Sequence, residues 1–226
     1  MKIFAIDTST PRIVACYVDD ERKILVELET KAKHGTQVSQ VIEMMKDVDF
    51  SSLDVIGIGI GPGSLTGLRV GIAFATGLGV GKSFVQINSL KLIASNLEFY
   101  NGYIVVVRKA REGYVYCAVY KGLDRVNDKV NDNDDMIEEV EAPFIDSIER
   151  IRNKIEMYNP RICIGDGAEF FDCMLDSVEY NYPSAKKLLQ LVLKKIERNN
   201  FVDSVEPLYL QKSIAELNFE KRQNKK

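Results

Sequence analysis

Residues 55–82, VIGIGIGPGSLTGLRVGIAFATGLGVGK, begin as an alternation of β-branched residues and glycines and break at Gly61-Pro62-Gly63. They run apolar again from Leu65 to Leu78, the length and period of a helix entered through Ser64 as N-cap. The pattern predicts strand, tight turn, helix. Apolar positions occupy nearly the whole circumference of that helix: Leu68, Ile72 and Ala75 on one side, Val70, Ala73, Phe74 and Gly77 on another, with only Thr66, Arg69 and Thr76 polar. Gly67, Gly71, Ala75 and Gly79 recur every fourth residue, a smooth strip along which another helix backbone can come close. Each interior glycine costs about 1 kcal/mol against alanine, so the strip calls for compensating packing. Two readings stay open: a central helix sandwiched within its own domain, or a helix with one face on its own sheet and the other on a second protein.

The same patterning organises the rest of the chain. Residues 2–7 read as a central strand that ends at Asp7-Thr8-Ser9-Thr10-Pro11, where Pro11 and three hydroxyls turn the chain. Residues 12–19 and 24–30 are two further strands of an antiparallel meander. A helix follows, with Thr36 as N-cap and Val38, Val41, Ile42 and Met45 on one stripe. After the strand and helix already described come a strand at 83–87 and a helix at 89–99, so the first half reads βββαβαβα. Tyr100-Asn101-Gly102 marks a boundary that divides the chain into 1–100 and 101–226. Beyond it, 103–107 and 114–120 read as paired strands, 127–135 as a solvated loop, 138–140 as a short strand and 143–158 as a helix. A strand at 161–164 ends in Gly165-Asp166-Gly167-Ala168, and 184–198 is a helix. Two βββαβαβα-type halves, the second truncated, are the design of the α/β actin-like (sugar kinase/HSP70-like) fold.

Composition narrows the function classes. The 226 residues, 46% of them hydrophobic, suffice for two small domains. A formal charge of −3 gives no general attraction to nucleic acid, and basic residues gather only in the tail Lys221, Arg222, Lys225, Lys226. If the protein acts in RNA chemistry, something else holds the RNA. Cys16, Cys117, Cys163 and Cys173 show no CxxC spacing, and at least three lie in apolar patterns, so reduced thiols are expected. No apolar run approaches the roughly 18 residues of a membrane span; a soluble cytoplasmic protein is expected.

Motifs with chemical content are few. Gly79-Val80-Gly81-Lys82-Ser83 resembles the end of a P-loop, but Thr76 stands where a glycine is needed, and a helix precedes where a strand should; a helix C-cap is the simpler reading. The glycines of 57–63 miss G-x-G-x-x-G in every register. Asp7, Ser9 and Thr10 have two open readings: a strand ending in an ST-turn, or the remnant of a nucleotide site, since an acid at a strand end followed by hydroxyls is where actin-like ATPases hold phosphate and a metal-bound water. A complete site needs a second phosphate loop, for which Gly165-Asp166-Gly167-Ala168 is the candidate. His34 is the only histidine, which excludes a metal protease built on paired histidines and leaves no Ser-His-Asp set legible. No metal site and no catalytic residue is predicted.

Ile6 to Thr10 (IDTST), His34 at the entry to the first helix, GIGPGSLTGLRVG at 59–71, GDGA at 165–168 and PLYL at 207–210 together resemble the bacterial TsaB (YeaZ) family, densely in the first half and sparsely in the second. The resemblance implies a non-catalytic paralogue of TsaD. It would pair with TsaD and the ATPase TsaE in the complex that transfers threonylcarbamoyl to N6 of adenosine 37 in tRNAs reading ANN codons. The activated adenylate would come from TsaC, and TsaD would supply the metal and the transfer site. The resemblance further implies a homodimer when alone, tRNA contact only through the complex, no tightly bound cofactor, and ATP at the interface with partner subunits. The partner surface would use Val38, Val41, Ile42 and Met45 of the first helix and Gly67, Leu68, Gly71, Ile72, Ala73 and Ala75 of the second. Two departures stand out: Lys109-Ala110-Arg111 replaces a block that the family opens with an acid, and Gln211 replaces an arginine. Two other classes compete. An actin-like small-molecule kinase or ATPase would turn over ATP as the isolated chain, and a glycoprotease-like hydrolase is disfavoured by the lone histidine.

Overall fold

The computed structural model describes residues 1–29, 34–124 and 136–211. Strand β1 (Ile3–Asp7), β2 (Arg12–Val18) and β3 (Lys23–Glu29) pair antiparallel in succession. After α1 (His34–Met44), β4 (Val55–Gly61) joins the other side of β1 in parallel; after α2 (Leu65–Leu78), β5 (Ser83–Asn88) joins β4, giving the order β3-β2-β1-β4-β5. Strand β1 is buried throughout, as an apolar run at the centre of a doubly covered sheet must be. Its alternate residues serve two cores. Phe4 and Ile6 join Ile13, Ile56 and Ile58 under α1 and α2, while Ile3 and Ala5 join Val14, Val55 and Ile87 on the opposite face.

The expected caps of α2 are present: the Ser64 hydroxyl accepts from Gly67 N at 3.2 Å, and the helix closes on Gly79. Helix α1 begins at His34, so Thr36 lies inside it and is not its N-cap. Thr30 at the end of the expected strand 24–30, the loop at 127–135 and the basic tail from Lys221 lie outside the described residues.

Helix α3 (Ser89–Ala94) leads into a second sheet, β6 (Tyr103–Lys109), β7 (Tyr114–Gly122), β8 (Ile137–Ser147) and, after α4 (Ile148–Ile155), β9 (Ile162–Ile164), in the order β8-β7-β6-β9. Leu90, Ile93 and Ala94 of α3 pack on one face of this sheet, and Ile151 and Ile155 of α4 on the other. The expected helix at 143–158 is corrected: its first five residues extend β8, where Phe144 and Ile145 pair with Cys117 and Tyr116. Pro143 falls in the register break between the Cys117 and Val119 pairings of this edge strand, where a missing N–H costs no ladder bond.

The expectation of reduced cysteines is corrected at one pair. Cys163 and Cys173 are bonded as a disulfide, because residues 171–175 fold back beside β9; Cys163 N donates to Cys173 O at 2.6 Å, and Leu175 N to Cys163 O at 2.8 Å. After α5 (Val178–Asn181), helix α6 (Ala185–Glu197) does not cover the second sheet. It returns to the first one, laying Ala185, Leu188, Leu189 and Val192 on the face opposite α1 and α2. Gly57 of β4 permits this approach: a Cβ there would stand 2.5 Å from Val192 Cγ2. The chain then bridges Val202 to Phe84 and donates Leu208 N to Ile60 O at 2.8 Å. Among the described residues no helix is long and apolar enough to cross a membrane.

Candidate functional site

The turn after β1 never reaches solvent: Asp7, Thr8, Ser9 and Thr10 are all 0% exposed. Both carboxylate oxygens of Asp7 are occupied by donors of its own chain. Oδ1 accepts from Ser9 N at 2.8 Å and Ser9 Oγ at 2.6 Å, and Oδ2 accepts from Ser89 Oγ at 2.5 Å. Ser89 Oγ in turn accepts from Gly61 N at 3.0 Å. Gly59 gives the carboxylate its room, since a Cβ there would stand 1.9 Å from Oδ2. The Thr10 hydroxyl donates to Arg12 O, closing the turn.

The small-residue strip of α2 is seated on this turn. Thr8 Oγ1 donates to Gly67 O at 2.7 Å, a Cβ on Gly71 would stand 2.1 Å from the same oxygen, and Ser64 N donates to Ser9 O at 2.9 Å. The strip therefore admits the chain's own β1 turn, and at Gly79 the ring of Phe84.

Across the cleft between the sheets stands Arg108, at the end of β6 and 3% exposed. Its Nε and Nη2 donate to Asp166 Oδ1 and Oδ2 at 3.0 and 3.2 Å, and its Nη1 donates to Ser9 O at 3.2 Å, tying the two halves together. Lys109 N also donates to Asp166 Oδ1, at 2.8 Å. The Lys109 ammonium lies 2.9 Å from Glu169, whose hydrogen bond raises its pKa above the usual lysine value. A cavity of about 340 Å³ opens here, lined by Pro11, Ser64, Leu65, Arg108, Tyr116 and Asp166 among others. Burial raises the Tyr116 phenol, which stays neutral at physiological pH.

This arrangement brings the expected Asp7, Ser9 and Thr10 together with the 165–168 loop, but in a closed form. The hydroxyls of Ser9 and Ser89 point at a carboxylate, as a nucleophile points at its base, yet all three groups are fully buried, out of reach of a substrate. Arg108 and Lys109 are each matched by a carboxylate, Asp166 and Glu169. Among the described residues no three His, Cys, Asp or Glu side chains are grouped to hold a metal ion.

Of the residues expected at a partner surface, Val38, Val41, Met45, Gly67, Leu68, Gly71 and Ala75 are buried within the chain and are corrected to core. Ile42 and Ile72 are half-buried and Ala73 is exposed. Met44 of α1 is 56% exposed, Ile72 packs partly against the core, and Arg69 of α2 is exposed, its guanidinium 5.9 Å from the Tyr209 ring.

Ser89 and Arg108 were missed as site residues. Ser89 reads as the first residue of a helix, while the cap is Asn88, whose Oδ1 accepts from Leu90 N at 2.9 Å. Arg108 had a legible signal: a cation that continues the apolar run YIVVV inside a buried strand needs a partner.

The family model of TsaD, tRNA N6-adenosine threonylcarbamoyltransferase, matches residues 28–219. The tRNA threonylcarbamoyladenosine biosynthesis protein TsaB of Bacillus subtilis (strain 168) is 29% identical over 128 residues, 54% of this chain and 56% of that protein, so this chain spans just over half the length of that relative. TsaB of Escherichia coli (strain K12) is 24% identical over 237 residues, 95% of this chain and 96% of that one. Among solved structures, YeaZ from Pseudomonas aeruginosa has the same fold, with a TM-score of 0.74 and 20% identity over 92% of this chain and 99% of that one.

Proposed function

Because the chain belongs to the family of the tRNA N6-adenosine threonylcarbamoyltransferase TsaD, in its TsaB (YeaZ) branch, we propose that it serves threonylcarbamoyladenosine biosynthesis on tRNA as a non-catalytic subunit that pairs with TsaD. The observation that carries this reading is the state of Asp7. In an actin-like ATPase the acid at this strand end faces phosphate and a metal-bound water; here Ser9 and Ser89 saturate it in full burial. The chain's contribution is then a surface. The α1 and α2 face with Ile42, Met44, Ile72 and Ala73 docks on TsaD, and in its absence on a second copy of the chain. TsaE joins the pair, ATP is bound at the seam with partner subunits rather than in this chain's own cleft, and tRNA is held by the partners, consistent with a net charge of −3.

Ala73→Glu tests the docking. The side chain is exposed, so the Tm of the free chain should change by no more than a degree or two, as for surface substitutions within about 0.5 kcal/mol. A charge buried unpaired at an interface centre costs about 3–5 kcal/mol, so co-purification with TsaD and threonylcarbamoyl transfer by the reconstituted complex should both be lost. Retained binding with native stability would show that α2 is not the docking element. The isolated chain should also hydrolyse ATP no faster than an Asp7→Ala control; faster turnover would favour a kinase or ATPase.

A further inference from the structure

The Cys163 to Cys173 disulfide closes a short loop around Gly165-Asp166-Gly167-Ala168. That loop is the anchor of the cross-cleft tie. Asp166 takes two hydrogen bonds from Arg108 and one from Lys109 N; Gly167 N donates to Val107 O at 3.0 Å; and Arg108 passes the connection to Ser9 O. Gly165 has φ +102°, and a Cβ on it would stand 2.2 Å from Val107 O, so the loop is closely fitted to β6. The disulfide thus fixes both ends of the segment on which Arg108 is held.

The two sulfurs differ in access. Cys163 is fully buried in the core under α4. Cys173 is half-buried and lines a surface cavity of about 240 Å³ together with Arg152, Ile155, Asn159, Pro160 and Phe171. The remaining cysteines, Cys16 and Cys117, are buried free thiols, each pushed up to about 12 by desolvation. Thiol chemistry from solvent is therefore directed to Cys173.

We propose that Cys163 and Cys173 form a reversible redox site, opened by a dithiol reductant, whose state sets how firmly the Asp166 loop holds Arg108 across the cleft. One thiolate of the reductant attacks Cys173 Sγ. The Cys163 to Cys173 bond breaks and Cys163 leaves as a thiolate, taking up a proton. The second reductant thiol then attacks the mixed disulfide and releases Cys173 as a thiol. Two electrons and two protons pass to the protein, and the reductant becomes a disulfide. Re-closure is favoured by the backbone, because the Cys163 N to Cys173 O and Leu175 N to Cys163 O bonds keep the two sulfurs side by side after reduction. For the same reason reduction loosens the loop without unfolding the second sheet.

The test uses the full chain. Alkylation in denaturant followed by mass spectrometry should find Cys163 and Cys173 protected in air-purified protein and free after dithiothreitol, with Cys16 and Cys117 free in both. On reduction the amides of 164–172 should exchange about tenfold faster or more, those of β1 to β5 should not change, and the Tm should fall by roughly 5–10 °C. Cys173→Ser should behave as the reduced chain does and ignore the reductant. Four free thiols after air purification, unaltered exchange at 164–172 on reduction, or a reductant response retained by Cys173→Ser would each overturn the proposal.

Discussion

Gly71→Leu should melt about 10 °C or more below the parent chain. Its first added atom, Cβ, meets Thr8 Oγ1 at 2.1 Å and also lies 3.0 Å from Thr8 Cγ2 and 3.1 Å from its Cβ, so no rotation of the threonine relieves the clash. Either α2 lifts from the turn or Thr8 gives up its bond to Gly67 O. Overpacking costs about 1–3 kcal/mol and an orphaned buried hydroxyl about 1–3 more. For a chain of this size each kcal/mol moves the Tm by about 2–4 °C. Gly77→Ala is the control on the same helix. It is exposed with nothing within 4 Å of its Cβ position, so removing a helical glycine there should stabilise by up to about 1 kcal/mol. Equal melting of Gly71→Leu and the parent by calorimetry would mean that α2 is not seated on the Thr8 turn.

Arg108→Met should be similarly damaging for an electrostatic reason. It removes two of the donors to Asp166, which is 15% exposed, and leaves Ser9 O without its cross-cleft partner. Breaking a buried pair from one side costs about 3–5 kcal/mol, again about 10 °C. Asp166→Asn strands the guanidinium instead. The double variant Arg108→Met/Asp166→Asn should lose less than the sum of the singles, with a coupling of about 1–3 kcal/mol in a double-mutant cycle. Strict additivity would show that the two side chains do not act as one tie.

The elements that were legible in the sequence are those whose signal is local. The strand, turn and helix of 55–78 carried their caps in Ser64 and Gly79, and the meander of β1 to β3 carried its first turn in Pro11 and the hydroxyls before it. What stayed hidden depends on residues far apart in the chain. Asp7 is closed by Ser89, 82 positions away, and Ser9 by Arg108, 99 positions away, and no periodicity reports such a meeting. The glycine strip of α2 announced a close approach without naming the partner, because a strand turn and a foreign helix ask the same of it. The continuation of β8 through Pro143 was hidden because proline before a 3.6-period stripe reads as a helix start, and only the edge position and its register break make it a strand residue. The disulfide was hidden because Cys163 sits in an apolar strand, as a free core thiol would.

The return of α6 to the first sheet fixes an order of events during synthesis. When residues 1–100 have left the ribosome, all five strands of that sheet are available, but the face bearing Ile3, Ala5, Val14, Val55, Val85 and Ile87 still lacks Ala185, Leu188, Leu189 and Val192. At about 5–20 residues per second this face waits on the order of ten seconds for its cover. Until then the amino-terminal half presents an apolar face to solvent, and a chain that stops before Ala185 keeps that face uncovered. The two halves of the fold share one moment of completion, set by the arrival of α6.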